Sequence, residues 1–421
     1  MHYRELEKDY DLIVVGGGLT GVAAAVAASR QGLSVLLLEQ DGSLGGAMSN
    51  SFVFPFMRYT YWEDEKWKYL SAGIFKEMVE RHRSIGGCSK YGWQPELFKM
   101  MLDDMIVEAG VDILFHTRVV NVVMDGRELK SVLAASKSGT LEIRAKFFID
   151  ASGDGEVMAL SGCAYQLGRE EDNLCQPMTT CFRLSNVNME KYYEEIPGLQ
   201  KLYNEKQKTG EITNPRENML IMGEVSRGVL HFNTTRIVKH NPVDPTELSR
   251  AEMEARKQVL ELYNFLRQNS EAFRESAIVS VAQNIGVRES RKLLGVHVLT
   301  ADDLKSLTIF DDSIALGNYD IDIHNPEGTG TYIYSFPKEA YYSIPYRSLL
   351  PRETDNLLVA GRCLSATHEA HSAVRIMPIC TCMGEAAGVA AAQAVHTGKN
   401  AHTLDIHAVQ QILEANGAKI H

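Results

Sequence analysis

Two apolar runs near the start of the chain flank an alanine-rich segment. Asp11–Val15 and Ser34–Leu38 are almost continuous in Ile, Leu and Val, which is typical of strands buried on both faces of a parallel sheet. Between them, Thr20–Gln31 is rich in alanine and stops before Gly32, a common helix terminator. The pattern therefore predicts a strand–helix–strand unit at the start of the chain.

The hydrophobic pattern further along predicts more strands and helices of the same architecture. Alternating segments separated by turn residues predict a β-meander, and short apolar runs predict further buried strands. The predicted helices are Trp62–Arg83, Gln94–Ala109 and Met383–His396; the predicted strands are Val111–Phe115, Arg118–Met124, Lys130–Ser136, Leu141–Arg144, Phe147–Asp150 and Asn356–Ala360.

The middle of the chain has a different character. Short strands at Thr179–Leu184 and Gly228–Asn233 accompany a long helix at Pro245–Asn269. We therefore predict a discontinuous α/β domain of residues 1–161 and 346–421, with residues 162–345 forming an inserted α+β domain.

Composition and charge exclude several classes of protein. The 421 residues have a formal net charge of −11, whereas a nucleic-acid-binding surface needs basic residues. We find no apolar run of about 18 residues, so no membrane span is expected, and the charged N-terminus lacks the apolar core of a signal peptide. The seven cysteines include no CxxC pair, which favours a reducing, cytoplasmic location and no metal site.

A glycine motif follows the first predicted strand. Gly16, Gly18 and Gly21 form a GxGxxG pattern that opens the predicted helix, and Glu39 ends the second strand. The glycines allow a tight turn, close approach to a pyrophosphate and close helix packing, while the acid accepts hydrogen bonds from ribose hydroxyls. An acid at this position disfavours a 2′-phosphate, so the unit predicts binding of a dinucleotide without one.

Three further motifs have small residues where a dinucleotide would pass close to the backbone. Glycines that serve only turns or helix packing remain the alternative for each of them. The motifs are Gly45-Gly46-Ala47, Ile149–Gly153, and Asn356–Arg362 followed by Met383–Gly388. The N-terminal amides of the last helix are predicted to face the cofactor.

The order of these motifs resembles that of a known family. Together with Gly286–Gly295, Ile344–Leu349 and Ala360–Ala370, they make the sequence similar to FAD-dependent oxidoreductases of the glutathione-reductase-like superfamily. More narrowly, the sequence is similar to the fumarate-reductase-like group of this superfamily, whose members have a single nucleotide-binding domain. It implies a Rossmann-like FAD-binding domain, formed by a parallel sheet and a β-meander, and an inserted substrate domain.

The motifs and the resemblance together imply a set of FAD-binding residues. They are Gly16, Gly18, Leu19, Thr20, Gly21, Glu39, Gln40, Gly45, Gly46, Ala47, Val119, Ala151, Ser152, Gly153, Gly361, Arg362, Gly384, Ala386 and Ala387. One departure is that many flavoproteins have a Gly-Asp pair where this chain has Gly361-Arg362, so Arg362 is a candidate for the pyrophosphate instead. The chain also lacks a second GxGxxG and has no cysteine over residues 40–87, which disfavours a nicotinamide domain and disulfide-reductase chemistry.

Five residues are considered for chemistry on the substrate side. His368 and His371 are candidates for proton transfer, because imidazole titrates near neutral pH, and local hydrogen bonding is the alternative for both. Arg288 is a candidate carboxylate clamp, unless it forms an internal ion pair. Arg58 lies in an aromatic segment that either reaches the flavin or only packs, and Cys363 is either a reactive thiol or a buried side chain.

The predicted function is a dehydrogenase or reductase that moves a hydride between FAD and a small organic substrate. A flavin monooxygenase, or a flavoprotein subunit that relays electrons to a protein partner, are the alternatives. Neither nucleic acid nor membrane is expected as a partner.

Overall fold

The structure is a computed structural model that describes residues 4–5, 8–90 and 92–421. The first part of the chain alternates strands and helices and ends in three long strands. In order these are β1 Arg4–Glu5, β2 Tyr10–Val15, α1 Leu19–Arg30, β3 Val35–Leu38, α2 Ala47–Asn50, β4 Thr60–Glu63, β5 Lys66–Tyr69, α3 Ile74–Ser84, β6 Cys88–Ser89, β7 Gly92–Trp93, α4 Pro95–Ala109, β8 Asp112–Leu114, β9 Arg118–Asp125, β10 Glu128–Ser136 and β11 Gly139–Asp150.

The rest of the chain contains shorter strands between longer helices. In order these are α5 Glu156–Leu160, β12 Tyr165–Leu167, β13 Phe182–Ser185, α6 Met189–Thr209, β14 Ile221–Ser226, β15 Val229–Phe232, α7 Pro245–Asn269, β16 Ala277–Val281, β17 Arg291–Leu293, α8 Ala301–Lys305, β18 Ser313–Gly317, β19 Ile321–His324, β20 Thr331–Tyr334, β21 Tyr342–Pro345, β22 Leu357–Val359, α9 His368–Val374, α10 Met377–Thr397 and α11 Ile406–Ala415. Short 3₁₀ helices lie at Tyr346–Leu349, Gly361–Cys363 and Ala401–Thr403.

A parallel sheet with an antiparallel extension forms the centre of the molecule. Strands β8, β3, β2, β11 and β22 run parallel in that order, and β9, β10 and β11 form a β-meander. The two segments predicted as separate strands at 141–144 and 147–150 are one strand, β11, which pairs with the meander by its first half and with β2 and β22 by its second. The predicted Rossmann-like sheet with a β-meander is confirmed.

Helices α1 and α10 cover one face of this sheet and pack closely on each other. A Cβ atom added at Gly384 would lie 2.1 Å from the carbonyl oxygen of Thr20, and one at Gly388 would lie 2.2 Å from that of Ala24. The small residues of both helices therefore allow their backbones to approach.

A second sheet lies over residues 182–281 and has a core of its own. Strands β14, β15, β13 and β16 are antiparallel in that order, and α6 and α7 contribute Tyr203, Leu262 and Phe265 to a cluster with Phe182 and Phe232. By contrast, β18 and β21 pair with each other and pack in the hydrophobic core that also contains the central sheet and helices α1 and α10. The domain boundaries at 162 and 345 stay a prediction.

Two helix predictions were wrong in their N-terminal parts. Residues 60–69 form the hairpin β4–β5 rather than helix, because Asp64 and Glu65 both have positive φ and turn the chain between strands rich in Trp and Tyr. Helix α10 begins at Met377 rather than Met383, since Pro378 lies in its first turn, where a missing N–H has no consequence.

Within the described part of the chain, no single helix is long and apolar enough to cross a membrane. Helices α9 and α10 taken together are long and apolar enough, but the two helices meet at an angle of 90°.

Candidate active site

The three glycines of the first loop have three different surroundings. A Cβ atom at Gly16, whose φ is +104°, would lie 2.5 Å from the carbonyl oxygen of Ala151, and one at Gly21 would lie 1.8 Å from that of Gly16. A Cβ atom at Gly18 would meet nothing nearer than the Cα of Gly46 at 4.0 Å. Packing therefore requires glycine at 16 and 21, whereas Gly18 leaves space for a ligand.

The second glycine loop touches the first. The N–H of Gly45 donates to the carbonyl of Gly17 at 2.8 Å, and a Cβ atom at Gly46 would lie 2.9 Å from the Cα of Gly18. Glu39 joins the two loops, because its carboxylate accepts from the N–H of Gly17 at 2.6 Å and of Asp41 at 2.7 Å. Burial raises the pKa of Glu39, and these bonds oppose the rise.

Both loops open into a cavity of about 1280 Å³. This is above the ~300–1,000 Å³ typical of a site for one small ligand, so it has room for a dinucleotide and a second molecule. Fifteen of the predicted site residues line it, namely Gly16, Gly18, Leu19, Thr20, Glu39, Gln40, Gly45, Gly46, Ala47, Val119, Ala151, Ser152, Gly153, Arg288 and Arg362. All except Arg288 form what we call the dinucleotide end of the cavity.

Three arginines line the same cavity. Arg216, Arg288 and Arg375 come from separate segments, and across the residues that the structure describes none has a carboxylate oxygen within 4.0 Å. Burial, together with repulsion from Arg216 and Arg375, lowers the pKa of Arg288 to about 9. The three arginines therefore present positive charge without a direct ion pair, although the carboxylate of Asp322 is near enough to act on all three.

Tyr319, Asp322 and His324 line the same cavity, and the last two are near enough to Arg288 and Arg375 for their charges to interact. The Tyr319 hydroxyl donates to Oδ2 of Asp322 at 3.0 Å, and Nε2 of His324 lies 3.4 Å from the same oxygen. The six residues together are called the arginine end. Sequence reasoning missed all of them except Arg288 as site residues, although the alternation of residues 320–324 (DIDIH) placed Asp322 and His324 on one face of a strand.

Comparison with known proteins assigns the chain to a family. The sequence profile described as FAD dependent oxidoreductase matches residues 11–413. The chain belongs to the FAD-dependent oxidoreductase family. It is an enzyme of that family and its cofactor is FAD. No metal is implied, and no group of three or more possible metal ligands occurs among the described residues.

Individual relatives match only part of the chain. It is 30% identical to digeranylgeranylglycerophospholipid reductase 1 of Methanococcoides burtonii over 157 residues, 35% of this chain and 38% of that protein. The corresponding reductase of Methanospirillum hungatei is 30% identical over 158 residues, 35% of this chain and 39% of that protein. The matched stretch thus spans less than two fifths of these relatives.

Solved structures match over most of the chain at low sequence identity. A geranylgeranyl bacteriochlorophyll reductase-like protein from Thermoplasma acidophilum has 11% identity and a TM-score of 0.46, with 98% of this chain and 84% of that chain covered. The flavin-dependent brominase Bmp2 has 14% identity and a TM-score of 0.49, with 96% and 83% covered.

The dinucleotide end fits the FAD of this family. The space left open at Gly18 lets backbone N–H groups approach a pyrophosphate. Glu39 accepts one backbone N–H on each oxygen, which leaves lone pairs of the carboxylate for ribose hydroxyls. When bound, FAD supplies hydride exchange at its N5 atom.

Five predicted FAD-binding residues do not line the cavity. They are Gly21, Gly361, Gly384, Ala386 and Ala387. Gly21 and Gly384 are held in backbone contacts, and a Cβ atom at Gly361, whose φ is +85°, would lie 2.6 Å from Oγ1 of Thr20. Because α10 starts early, its cavity-lining residues are Met377 and Cys380.

Arg362 lines the cavity but already has protein partners. Its guanidinium donates to Asp154 at 2.8 Å and to Oγ of Ser290 at 3.1 Å. A Cβ atom at Gly153 would lie 2.9 Å from one of its nitrogens, so the arginine is held against the Ala151–Gly153 turn. A contact with pyrophosphate stays a prediction.

The structure does not bring His368 or His371 to the main cavity. Nδ1 of His368 lies 2.9 Å from Oε1 of Glu289, and His368 lines a separate cavity of about 510 Å³. His371 is fully buried, with Nε2 2.8 Å from the carbonyl of Arg362. Burial holds the pKa of His371 well below its usual range, and its catalytic role stays a prediction.

Arg58 and Cys363 also have structural contacts. Arg58 donates to the carbonyls of Asn318 at 3.1 Å and Phe336 at 3.3 Å, and it does not line the main cavity. Cys363 is fully buried, which raises the pKa of its thiol.

Proposed function

We propose that this FAD-dependent oxidoreductase exchanges a hydride with a small organic anion. The observation that carries the proposal is that Arg216, Arg288 and Arg375 line the same cavity as the glycine loops and have no carboxylate within 4.0 Å among the described residues. Cations that are largely withdrawn from water and have no direct ion pair are costly, and an anionic ligand reduces that cost.

Each arginine keeps donors for a ligand while the protein holds its position. Arg288 donates to the carbonyl of Pro177 at 2.6 Å, Arg216 to Oδ1 of Asn218 at 3.1 Å, and Arg375 to Oε1 of Gln176 at 3.4 Å. A guanidinium has five N–H donors, so several remain for a carboxylate. These bonds orient the three planar groups before the ligand arrives, which favours affinity.

The test is a titration of the FAD-loaded protein with propionate at constant ionic strength, followed by the visible spectrum of FAD. Replacing Arg288→Met should weaken binding by roughly 10–100-fold, the value of hydrogen bonds to a charged group. Arg274→Met, at a side chain that is 63% exposed, is the matched control. Equal propionate affinities for wild type and Arg288→Met would contradict the proposal.

A second candidate is reduction of a longer isoprenoid chain. It is supported by the names of the partial relatives and by the apolar residues Leu220, Met222, Met57 and Ile333 on the cavity wall. Met57 and Ile333 are unusually exposed for apolar residues, with 41% and 58% of their surface accessible to solvent. Competition between geranylgeranyl phosphate and propionate distinguishes the candidates, because only an isoprenoid site binds the lipid much more tightly.

A further inference from the structure

Asp322 differs from the other carboxylates near the arginine end. Asp320 lies 3.7 Å from Arg58, and Glu217 lies 3.2 Å from Arg236. Among the described residues, the only basic side chain within 4.0 Å of Asp322 is His324. Asp322 therefore has no permanent cation as an ion-pair partner.

The hydrogen-bond network fixes the state of His324. Burial, and then the charge of Arg288, lower the pKa of His324 to about 3, so the ring is neutral near pH 7. Nη2 of Arg236 lies 3.1 Å from Nδ1 of His324, and arginine is only a donor. Nδ1 must accept, which leaves the proton on Nε2, where it faces Oδ2 of Asp322.

One oxygen of Asp322 is therefore engaged and the other is not. Oδ2 accepts a hydrogen bond from the hydroxyl of Tyr319 and lies 3.4 Å from Nε2 of His324. In the described part of the chain no hydrogen bond to Oδ1 is found, and Asp322 lines the cavity with 16% of its side chain exposed. The arginine end thus offers donors for an acid group and one open acceptor beside them.

We propose that the substrate is an organic acid with a CH–OH or CH–NH group next to its carboxylate, and that Oδ1 of Asp322 accepts the proton from that oxygen or nitrogen. The inference rests on the proposed function. The C–H bond breaks with its electron pair, which FAD accepts as hydride, and the O–H or N–H proton goes to Asp322. The carbon–oxygen or carbon–nitrogen bond becomes double, so the alcohol gives a ketone, and an amine that binds as its ammonium ion gives an iminium ion.

Electrostatics favour this substrate over a plain acid or a diacid. A second carboxylate near Oδ1 would face a like charge, and an apolar group would leave the carboxylate unpaired. Burial raises the pKa of Asp322, but the bonds from His324 and Tyr319 and the charge of Arg375 outweigh it and hold the pKa well below its usual range. A bound carboxylate offsets the arginine charge and makes Asp322 more basic.

Three acids of matched size test the inference. Propionate, lactate and alanine differ only at the second carbon, which has hydrogen, hydroxyl or ammonium. Dissociation constants for the FAD-loaded wild type, from the FAD difference spectrum and in parallel from the thermal shift, should be at least roughly 10-fold lower for lactate or alanine than for propionate. The better of the two identifies oxygen or nitrogen, and equal constants for all three would overturn the inference.

The variant Asp322→Asn removes the charged acceptor, so it should bring the three dissociation constants within about 3-fold of one another. Tyr319→Phe removes the hydrogen bond to Oδ2 but keeps the negative charge of Asp322. The preference of this variant for lactate or alanine should therefore persist, and loss of that preference would overturn the role of Asp322.

If Arg288→Met leaves propionate binding intact, the proposed function itself fails. If propionate depends on Arg288 but is bound as well as lactate and alanine, only this inference fails.

Discussion

The two ends of the cavity are built in different ways. At the dinucleotide end the ligand space is made by absent side chains in short loops, with Gly18 open and Gly16 and Gly21 in backbone contact. At the arginine end it is made by charged side chains that come from distant segments and are oriented by hydrogen bonds. The first arrangement depends on local backbone geometry, and the second depends on how the whole chain packs.

The largest expected effect is at the closest backbone contact. Gly21→Ala would place a Cβ atom 1.8 Å from the carbonyl oxygen of Gly16, so we expect loss of more than about 3 kcal/mol of unfolding free energy and loss of bound FAD. Gly198→Ala is the control, because a Cβ atom there meets nothing within 4 Å in helix α6. It should stabilise the protein by roughly 0.5–1 kcal/mol. Urea denaturation would measure the unfolding free energy of both variants, and the visible spectrum would measure their FAD content. Retention of FAD by Gly21→Ala would contradict the view that the dinucleotide end depends on local backbone contacts.

The next largest effect is expected at Arg236, a buried arginine that contacts His324 of the arginine end. Arg236 is 1% exposed and donates to His324, to Thr331 and to the carbonyls of Gly328 and Gly330. Arg236→Met leaves these groups without their donor, so we expect a loss of roughly 3 kcal/mol.

If the two ends are independent, FAD affinity in Arg236→Met should stay within about 2-fold of wild type. Denaturation curves and FAD titration would be compared with those of Arg274→Met. A joint loss of FAD affinity would show that the ends are coupled.

Glu385 gives a smaller, pH-dependent effect. It is buried in α10 and accepts from the N–H of Ile74 at 2.8 Å, and burial raises its pKa to about 7. An acid whose pKa is raised in the folded state destabilises that state as pH rises, here between the ordinary pKa of 4.5 and about 7.

The variant Glu385→Gln keeps an acceptor for Ile74. The unfolding free energy of Glu385→Gln relative to wild type should therefore be roughly 1–3 kcal/mol higher at pH 8 than at pH 4.5. Unfolding free energies at both pH values measure the gain, with Glu80→Gln, an acid with 56% of its side chain exposed, as the control for lost charge. A constant difference between Glu385→Gln and wild type at the two pH values would contradict the expectation.

The smallest effect on stability is expected at Gly18. A Cβ atom there has 4.0 Å of clearance and its φ of −64° suits any residue, so Gly18→Ala should change stability by less than about 0.5 kcal/mol. The added methyl group occupies the ligand space, and FAD affinity should fall roughly 10-fold. FAD titration measures the change in affinity, and thermal unfolding measures the change in stability. An unchanged FAD affinity would mean that the pyrophosphate does not bind at Gly18.

The sequence by itself determined the features that depend on neighbouring residues. The GxGxxG spacing, the apolar runs and the turn residues specified the strand–helix–strand unit and the β-meander, because backbone conformation is set over a few residues. Pro245–Asn269 was predicted with the bounds that the structure shows. The residues of the dinucleotide end could be proposed from the sequence for the same reason.

Only the tertiary structure decided which charged side chains meet. Arg216, Arg288, Asp322 and Arg375 are brought to one wall by contacts between elements far apart in the chain, and no local spacing encodes such an assembly. The same packing buried His371 and directed His368 to a second cavity, although both lie close to Arg375 in sequence. Local patterns fix backbone geometry, whereas the position of a side chain relative to a distant one follows from how the elements pack.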